Sequence, residues 1–97
     1  MWGEMIKKYN FYSDAGHGWL AVKRQELIDL NILDKISTYS YQRGNTVYLE
    51  EDCDISTFCE AKGADFSHEN IVEKYTDRSP IRSYAGFRPW KTFSLLL

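Results

Sequence analysis

The chain has 97 residues, enough for one domain around one modest core and too few for a separate catalytic module. Its 43% hydrophobic and 27% charged residues are the proportions of a folded chain and exclude a disordered one. A formal charge of −2 argues against a general nucleic-acid binder, which is normally basic.

Tyr9-Asn-Phe-Tyr-Ser13 alternates and is aromatic, the pattern of a strand. Ser13-Asp-Ala-Gly-His-Gly18 follows with turn chemistry, its two glycines expected to supply positive φ. Trp19-Leu-Ala-Val22 then returns as the second strand of a hairpin. From Arg24 to Leu30 the spacing of Leu27, Ile28 and Leu30 predicts a short helix with an apolar face. Asn31 suits a left-handed stop, with Ile32 folding back as the hydrophobic contact.

Residues 37–51, STYSYQRGNTVYLEE, carry Gly44-Asn45 between two alternating runs, the signal of a two-residue hairpin. In that register Arg43 opposes Thr46, Tyr41 opposes Tyr48, and Tyr39 opposes Glu50. Ser40 and Gln42 against Val47 and Leu49 make the other face. Asp54 is placed to cap a second helix, in which Ile55, Phe58 and Cys59 form the buried stripe and Gly63 the stop. This order predicts an α+β domain: a small antiparallel sheet of two hairpins with two or three short helices on one face.

Past Gly63 the pattern supports two readings of residues 67–75. One is a short helix with Ser67 as cap and Asn70 at the third position; the other is a strand from Ile71 to Tyr75. Asp77-Arg-Ser-Pro80 reads as a turn, Ile81 to Phe87 as an edge strand, and residues 88–97 as a tail docking through Trp90 and Phe93. No linker divides the chain, so residues 1–97 are read as a single domain.

The charge is unevenly distributed. From Glu50 to Asp77 nine carboxylates oppose only Lys62 and Lys74, whereas Arg78, Arg82, Arg88 and Lys91 follow with no acid among them. Such an asymmetry describes two solvated surfaces or a surface that reads charge on a partner. Cys53 and Cys59 lie six positions apart, which on a helix turns their side chains away from each other and disfavours a bridge. Free thiols suit a reducing compartment. No leader pattern is visible near Lys7 and Lys8, and Ser94-Leu-Leu-Leu97 is too short to span a bilayer. The expected location is cytoplasmic, with no membrane contact.

Four carboxylates, Glu50, Glu51, Asp52 and Asp54, crowd the end of the second hairpin. Glu50 and Asp52 would share one strand face and Glu51 the other. A hard cation needs several oxygens converging from different elements, and zinc needs Cys and His at spacings that are absent here. Neither a metal nor a cofactor is therefore expected. Paired-carboxylate catalysis needs a cleft, and no nucleophile motif accompanies it. His17, between two glycines, has the chemistry of a general base, but a lone loop histidine is more simply a turn residue. With Asp54 assigned to the cap, the surplus acids are best read as surface. Tyr39, Tyr41 and Tyr48 resemble a base-stacking platform in composition. That mode needs a cationic groove, and Glu50 sits on the same face beside only Arg43.

The stretches Gly16-His-Gly-Trp-Leu20, Tyr39-Ser-Tyr-Gln-Arg-Gly44 and Tyr48-Leu-Glu-Glu-Asp-Cys-Asp54 together resemble small uncharacterised proteins carried by bacterial viruses, prophages and plasmids. The resemblance covers roughly residues 11 to 59 and departs at Lys23 and Asn31, where proline and glycine are expected. It implies a mobile-element protein acting in a bacterial host cell, against host defence or regulation, and assigns no catalytic residue. The resulting expectation is a binding protein whose partner is a host protein with a basic surface, with no direct nucleic-acid contact. Its binding residues would be Glu50, Glu51, Asp52, Tyr39, Tyr41, Tyr48 and Arg43. The alternative is a small hydrolase-like enzyme using His17 with Glu50 or Asp52.

Overall fold

A computed structural model describes residues 7–89. The first hairpin forms as the alternation requires, from β1 (Tyr9–Ser13) and β2 (Gly18–Lys23), with Phe11 opposite Leu20 and Tyr12 opposite Trp19. The turn between them does not use positive φ at Gly16 or Gly18. It is closed instead by the Asp14 carboxylate, whose Oδ1 accepts the backbone N–H groups of Gly16 and His17, each at 3.0 Å. Gly18 is there for room: a Cβ would run into the Phe11 ring and come within 3.0 Å of Glu51 Oε1. Gly18→Ala is therefore expected to destabilise the fold by about 1–2 kcal/mol, as overpacking does, measured by denaturant titration.

Helix α1 (Arg24–Asp29) starts where β2 ends and directs Leu27 into the core. Asn31 stops it with φ 61°, and the Ile32 N–H returns to Leu27 O at 3.0 Å, so the left-handed stop forms as its chemistry demands. Its apolar face is narrower than the spacing implied, for Ile28 is 46% exposed. A six-residue helix presents too few turns to bury all three apolar positions.

The second hairpin pairs β3 (Tyr41–Arg43) with β4 (Thr46–Glu50), Arg43 opposite Thr46 and Tyr41 opposite Tyr48. In its turn only Gly44 takes positive φ, the demand of a turn with glycine at its first central position. The expected pairing of Tyr39 with Glu50 does not occur. Tyr39 lies in a turn before β3, and Glu50 pairs with Trp19 of β2.

Helix α2 (Ile55–Lys62) ends at Gly63 with φ 61°. Asp54 occupies its N-cap position, yet the carboxylate makes no capping bond. It is buried and turned away, accepting from Ser37 N at 3.0 Å, Ser37 Oγ at 2.7 Å and Ser40 Oγ. The cap expectation is thus corrected: Asp54 ties the segment before β3 to the start of α2.

Both readings of residues 67–75 hold in part. A 3-10 turn (His68–Asn70), with Asn70 Oδ1 accepting Ser67 N–H at 2.7 Å, leads directly into β5 (Ile71–Tyr75). β5 runs parallel to β1, Tyr9 beside Ile71 and Ser13 beside Tyr75. The α+β class stands, but the sheet is mixed and six-stranded, in the order β5-β1-β2-β4-β3-β6, rather than two antiparallel hairpins. β6 is only Ala85–Gly86, because Pro80–Ser83 curls into a 3-10 turn whose Ile81 N–H is met by the Ser79 side chain.

The core lies on one face of this sheet. Leu20, Val22, Val47 and Leu49 meet Leu27 of α1 and Phe58 of α2 there, with Tyr9, Ile32, Ile36 and Phe87 completing the cluster. Both helices therefore cover the same face. The Pro80–Ser83 turn packs on the opposite face, where Arg82 lies over the Trp19 ring and Tyr84 meets Tyr48. The tail expected to dock through Trp90 and Phe93 lies outside the described residues. Among those described, no helix is long and apolar enough to cross a membrane.

Candidate functional site

On that opposite face, at the end near the first turn, four segments enclose a depression of about 210 Å³. His17 and Trp19 come from the first hairpin, Tyr39 and Tyr41 from the approach to β3 and its first residue, Glu50, Asp52 and Cys53 from the end of β4 and the turn after it, and Arg82 from the 3-10 turn. Five residues singled out from the sequence, His17, Tyr39, Tyr41, Glu50 and Asp52, therefore converge. Glu51 is exposed beside them, while Tyr48 and Arg43 lie farther along the same face.

The wall is organised by Asp14, a residue that sequence reasoning treated only as part of a turn. Its carboxylate is buried and receives Arg82 Nε at 2.7 Å and Nη2 at 2.9 Å, besides Ser79 N at 3.3 Å and the two turn amides. Foremost the Arg82 guanidinium, and then those amides, hold the Asp14 carboxyl well below the usual carboxylate range. Arg82 is correspondingly neutralised and raised above its ordinary value by Asp14. The same guanidinium lies 2.8 Å from His17 Nδ1. Arginine only donates, so Nδ1 accepts and neutral His17 carries its proton on Nε2. The imidazole is further clamped against Trp19, ring centroids 5.8 Å apart and nearly parallel at 18°.

Glu50 is not a surface acid. It is buried, and its Oε1 accepts Asp52 N and Cys53 N, each at 2.9 Å, closing the turn that follows β4. The strand ends at Glu50, so the expected alternation of Glu50 and Asp52 against Glu51 is replaced by this turn. Glu51 and Asp52 are exposed. The Cys53 thiol is pushed up, first by its hydrogen bond to Glu50 and then by burial and neighbouring carboxylates, so it is a poor nucleophile. Both cysteines are free. Tyr39 is 69% exposed at the rim, and Tyr41 meets the edge of Trp19 at 6.3 Å. Trp19 itself is 1% exposed, and its Nε1 has no hydrogen-bond partner among the described residues.

With Arg82 balanced by Asp14, the remaining charges of the depression are the carboxylates of Glu50 and Asp52, set among aromatic rings. Such a surface attracts a cationic side chain by charge and by ring faces together. As an acid–base site it is poorly arranged: His17 Nδ1 is held by Arg82 and Glu50 by its own turn. A larger hollow of about 600 Å³ lies beyond Arg82, against Asp14–Gly16 and Asp77–Ser83. Its Asp14 and Arg82 neutralise each other, and its remaining charges, Asp77 and Arg78, are exposed and of opposite sign. No group of three or more His, Cys, Asp or Glu side chains converges for a metal among the described residues.

Trp19, Asp14, Arg82 and Cys53 were missed as site residues. The Asx-turn pattern Asp14-Ala-Gly-His17 was a local signal for Asp14, whereas Arg82 lies 68 positions away and had none. Comparison with family models, with curated proteins and with solved structures finds no match for this chain.

Proposed function

We propose that this chain is a binding protein of mobile-element type. In this reading it inhibits or modulates a defence or regulatory protein of a bacterial host, and recognises a basic surface on that partner. The observation that supports this best is the convergence of Tyr39, Tyr41, Glu50 and Asp52 on one depression, with exposed Glu51 beside it. The rings offer contact area at low entropic cost, and the acids steer the approach of a cationic patch.

The test is reversal of the two exposed acids, Glu51→Lys with Asp52→Lys, read against an arginine-rich peptide and by affinity capture from a bacterial host. The fold is expected to persist, because exposed charges contribute little to stability. Peptide binding should fall roughly tenfold, mainly through a slower on-rate. Parent binding should also weaken with salt, as the Debye length shrinks from about 10 Å at 0.1 M to about 3 Å at 1 M. Binding indifferent to both reversal and salt would make the acids bystanders.

The second reading, a small hydrolase-like enzyme using His17 with Glu50 or Asp52, is favoured by the presence of all three in the depression. His17→Ala separates the two when turnover of ester or phosphoester probes is measured beside peptide binding. Under the first reading it leaves most of the peptide binding, which Tyr39, Tyr41 and the acids carry, and under the second it abolishes turnover.

A further inference from the structure

The remainder of the sheet's open face has the opposite electrostatic character. Across it the strand register sets Asn10 and Tyr12 of β1 beside Ala21 and Lys23 of β2, Tyr48 of β4, Arg43 of β3 and Lys74 of β5. Tyr12, Tyr48 and Tyr84 form a continuous row of rings, with centroids 6.2 Å apart for the first pair and 5.2 Å for the second. Arg43 lies over the outer ring of the row, 5.1 Å from the Tyr84 centroid. Two hollows flank the row, of about 250 Å³ and about 400 Å³, and Tyr12 and Tyr48 line both. Ala21 lines the first beside Tyr12 and Tyr48, and its small side chain fills little of the hollow.

Cations surround these rings. Lys7, Lys8 and Lys23 line the first hollow and Lys74 the second. Among the described residues the one carboxylate in either lining is Glu26, which is engaged by Lys7 at 3.2 Å, Lys62 at 2.9 Å and the Tyr9 hydroxyl at 2.7 Å. Glu50, the acid that argued against base stacking at the level of sequence, is folded into its own turn at the far end. The net charge of −2 therefore conceals a cationic aromatic face. We propose that this face binds single-stranded nucleic acid, the bases stacking in the hollows beside Tyr48 and the phosphates running along Lys23, Lys74 and Arg43. Aromatic rings bordered by cations on a sheet, on which bases can stack, are the general chemistry of sequence-tolerant single-strand binding. An acidic peptide would use the cations but not the ring-sized hollows.

This inference rests on different residues from the acidic depression, which adjoins the row where Trp19 pairs with Tyr12 and Tyr41 with Tyr48. The experiment measures polarisation of a labelled single strand of thymidylates with the full chain. Its comparisons are an abasic strand of equal length and poly-glutamate. Expected are salt-sensitive binding of the thymidylate strand and roughly tenfold weaker binding of the abasic one, the scale of one stacked base. Tyr48→Ala should reproduce that loss and Tyr48→Phe should restore binding. Exposed Lys74→Ala should lower the salt slope by about 0.7 while the fold persists. Glu51→Lys with Asp52→Lys should not weaken the strand, which separates this proposal from the one above. Equal affinity for the abasic strand, competition by poly-glutamate at equal charge, or no binding would each overturn it.

Discussion

Asp54→Ala is expected to destabilise the fold by about 3 kcal/mol, more than the loss of a helix cap, which costs about 1 kcal/mol. The carboxylate is buried and receives three donors from the segment before β3: Ser37 N, Ser37 Oγ and Ser40 Oγ. Alanine leaves the Ser37 N–H without its partner. It also releases Ser40 Oγ, which in turn accepts the Glu50 N–H at 2.8 Å. One side chain thus fixes the approach to β3, the end of β4 and the first turn of α2 at once. Asp54→Asn, which keeps one acceptor oxygen, should fall between parent and alanine variant. Denaturant titration reads all three. A loss no greater than that of a cap would show that the serines find other partners and that the brace contributes little. Because Tyr39 stands between the two braced serines, the alanine variant should also loosen the rim of the depression and weaken the basic peptide.

These contacts mark where the sequence stopped being legible. The local signals were reliable: alternation placed β1, β2 and β4, Gly44 set the register of the second hairpin, and Asn31 and Gly63 stopped the two helices. Each of those depends on residues only a few positions apart. The parallel pairing of β5 with β1 was hidden, because residues 9 and 71 meet only through the closed fold, and IVEKY is mostly exposed at a sheet edge. The roles of Asp54 and Glu50 were misread for a related reason. Propensity says where a carboxylate stands along the chain, but not which donors the folded chain brings to it. At the candidate site the tyrosines and acids were legible as types. Their division into an acidic end and a cationic face required the register of β2, β4 and β5.

The Asp14–Arg82 pair gives the acid limb of stability a definite sign. The Asp14 carboxyl is held below its ordinary range in the folded chain, by Arg82 first and by the amides of Gly16, His17 and Ser79 after it. Unfolded, it titrates near pH 3.9, roughly the value of a free aspartate. Between those two values the unfolded chain binds more protons, so stability rises with pH there. The contribution is complete above about pH 5 and is lost as pH falls below about 4. Glu26 adds to the same limb: burial alone would raise it, but hydrogen bonds from Lys62, Tyr9 and Lys7 more than offset this and lower it. Asp14→Asn turns an amide N–H₂ toward groups that only donate, so it should be clearly less stable than the parent at pH 7. The gap between the two chains should then narrow as pH falls below about 4 toward about 3, because the unfolded parent takes up a proton there while the folded ion pair still holds its own. Denaturant titrations in steps from neutral pH down to about 3 check this, with Glu26→Gln as the control whose own gap closes separately. A gap that stays constant with pH would mean that the charge of Asp14 contributes nothing to stability. The variant also leaves Arg82 without its counter-charge at the edge of the depression. Binding of the arginine-rich peptide should therefore weaken at neutral pH even where the fold is intact, and more so at low salt, where the guanidinium is least screened.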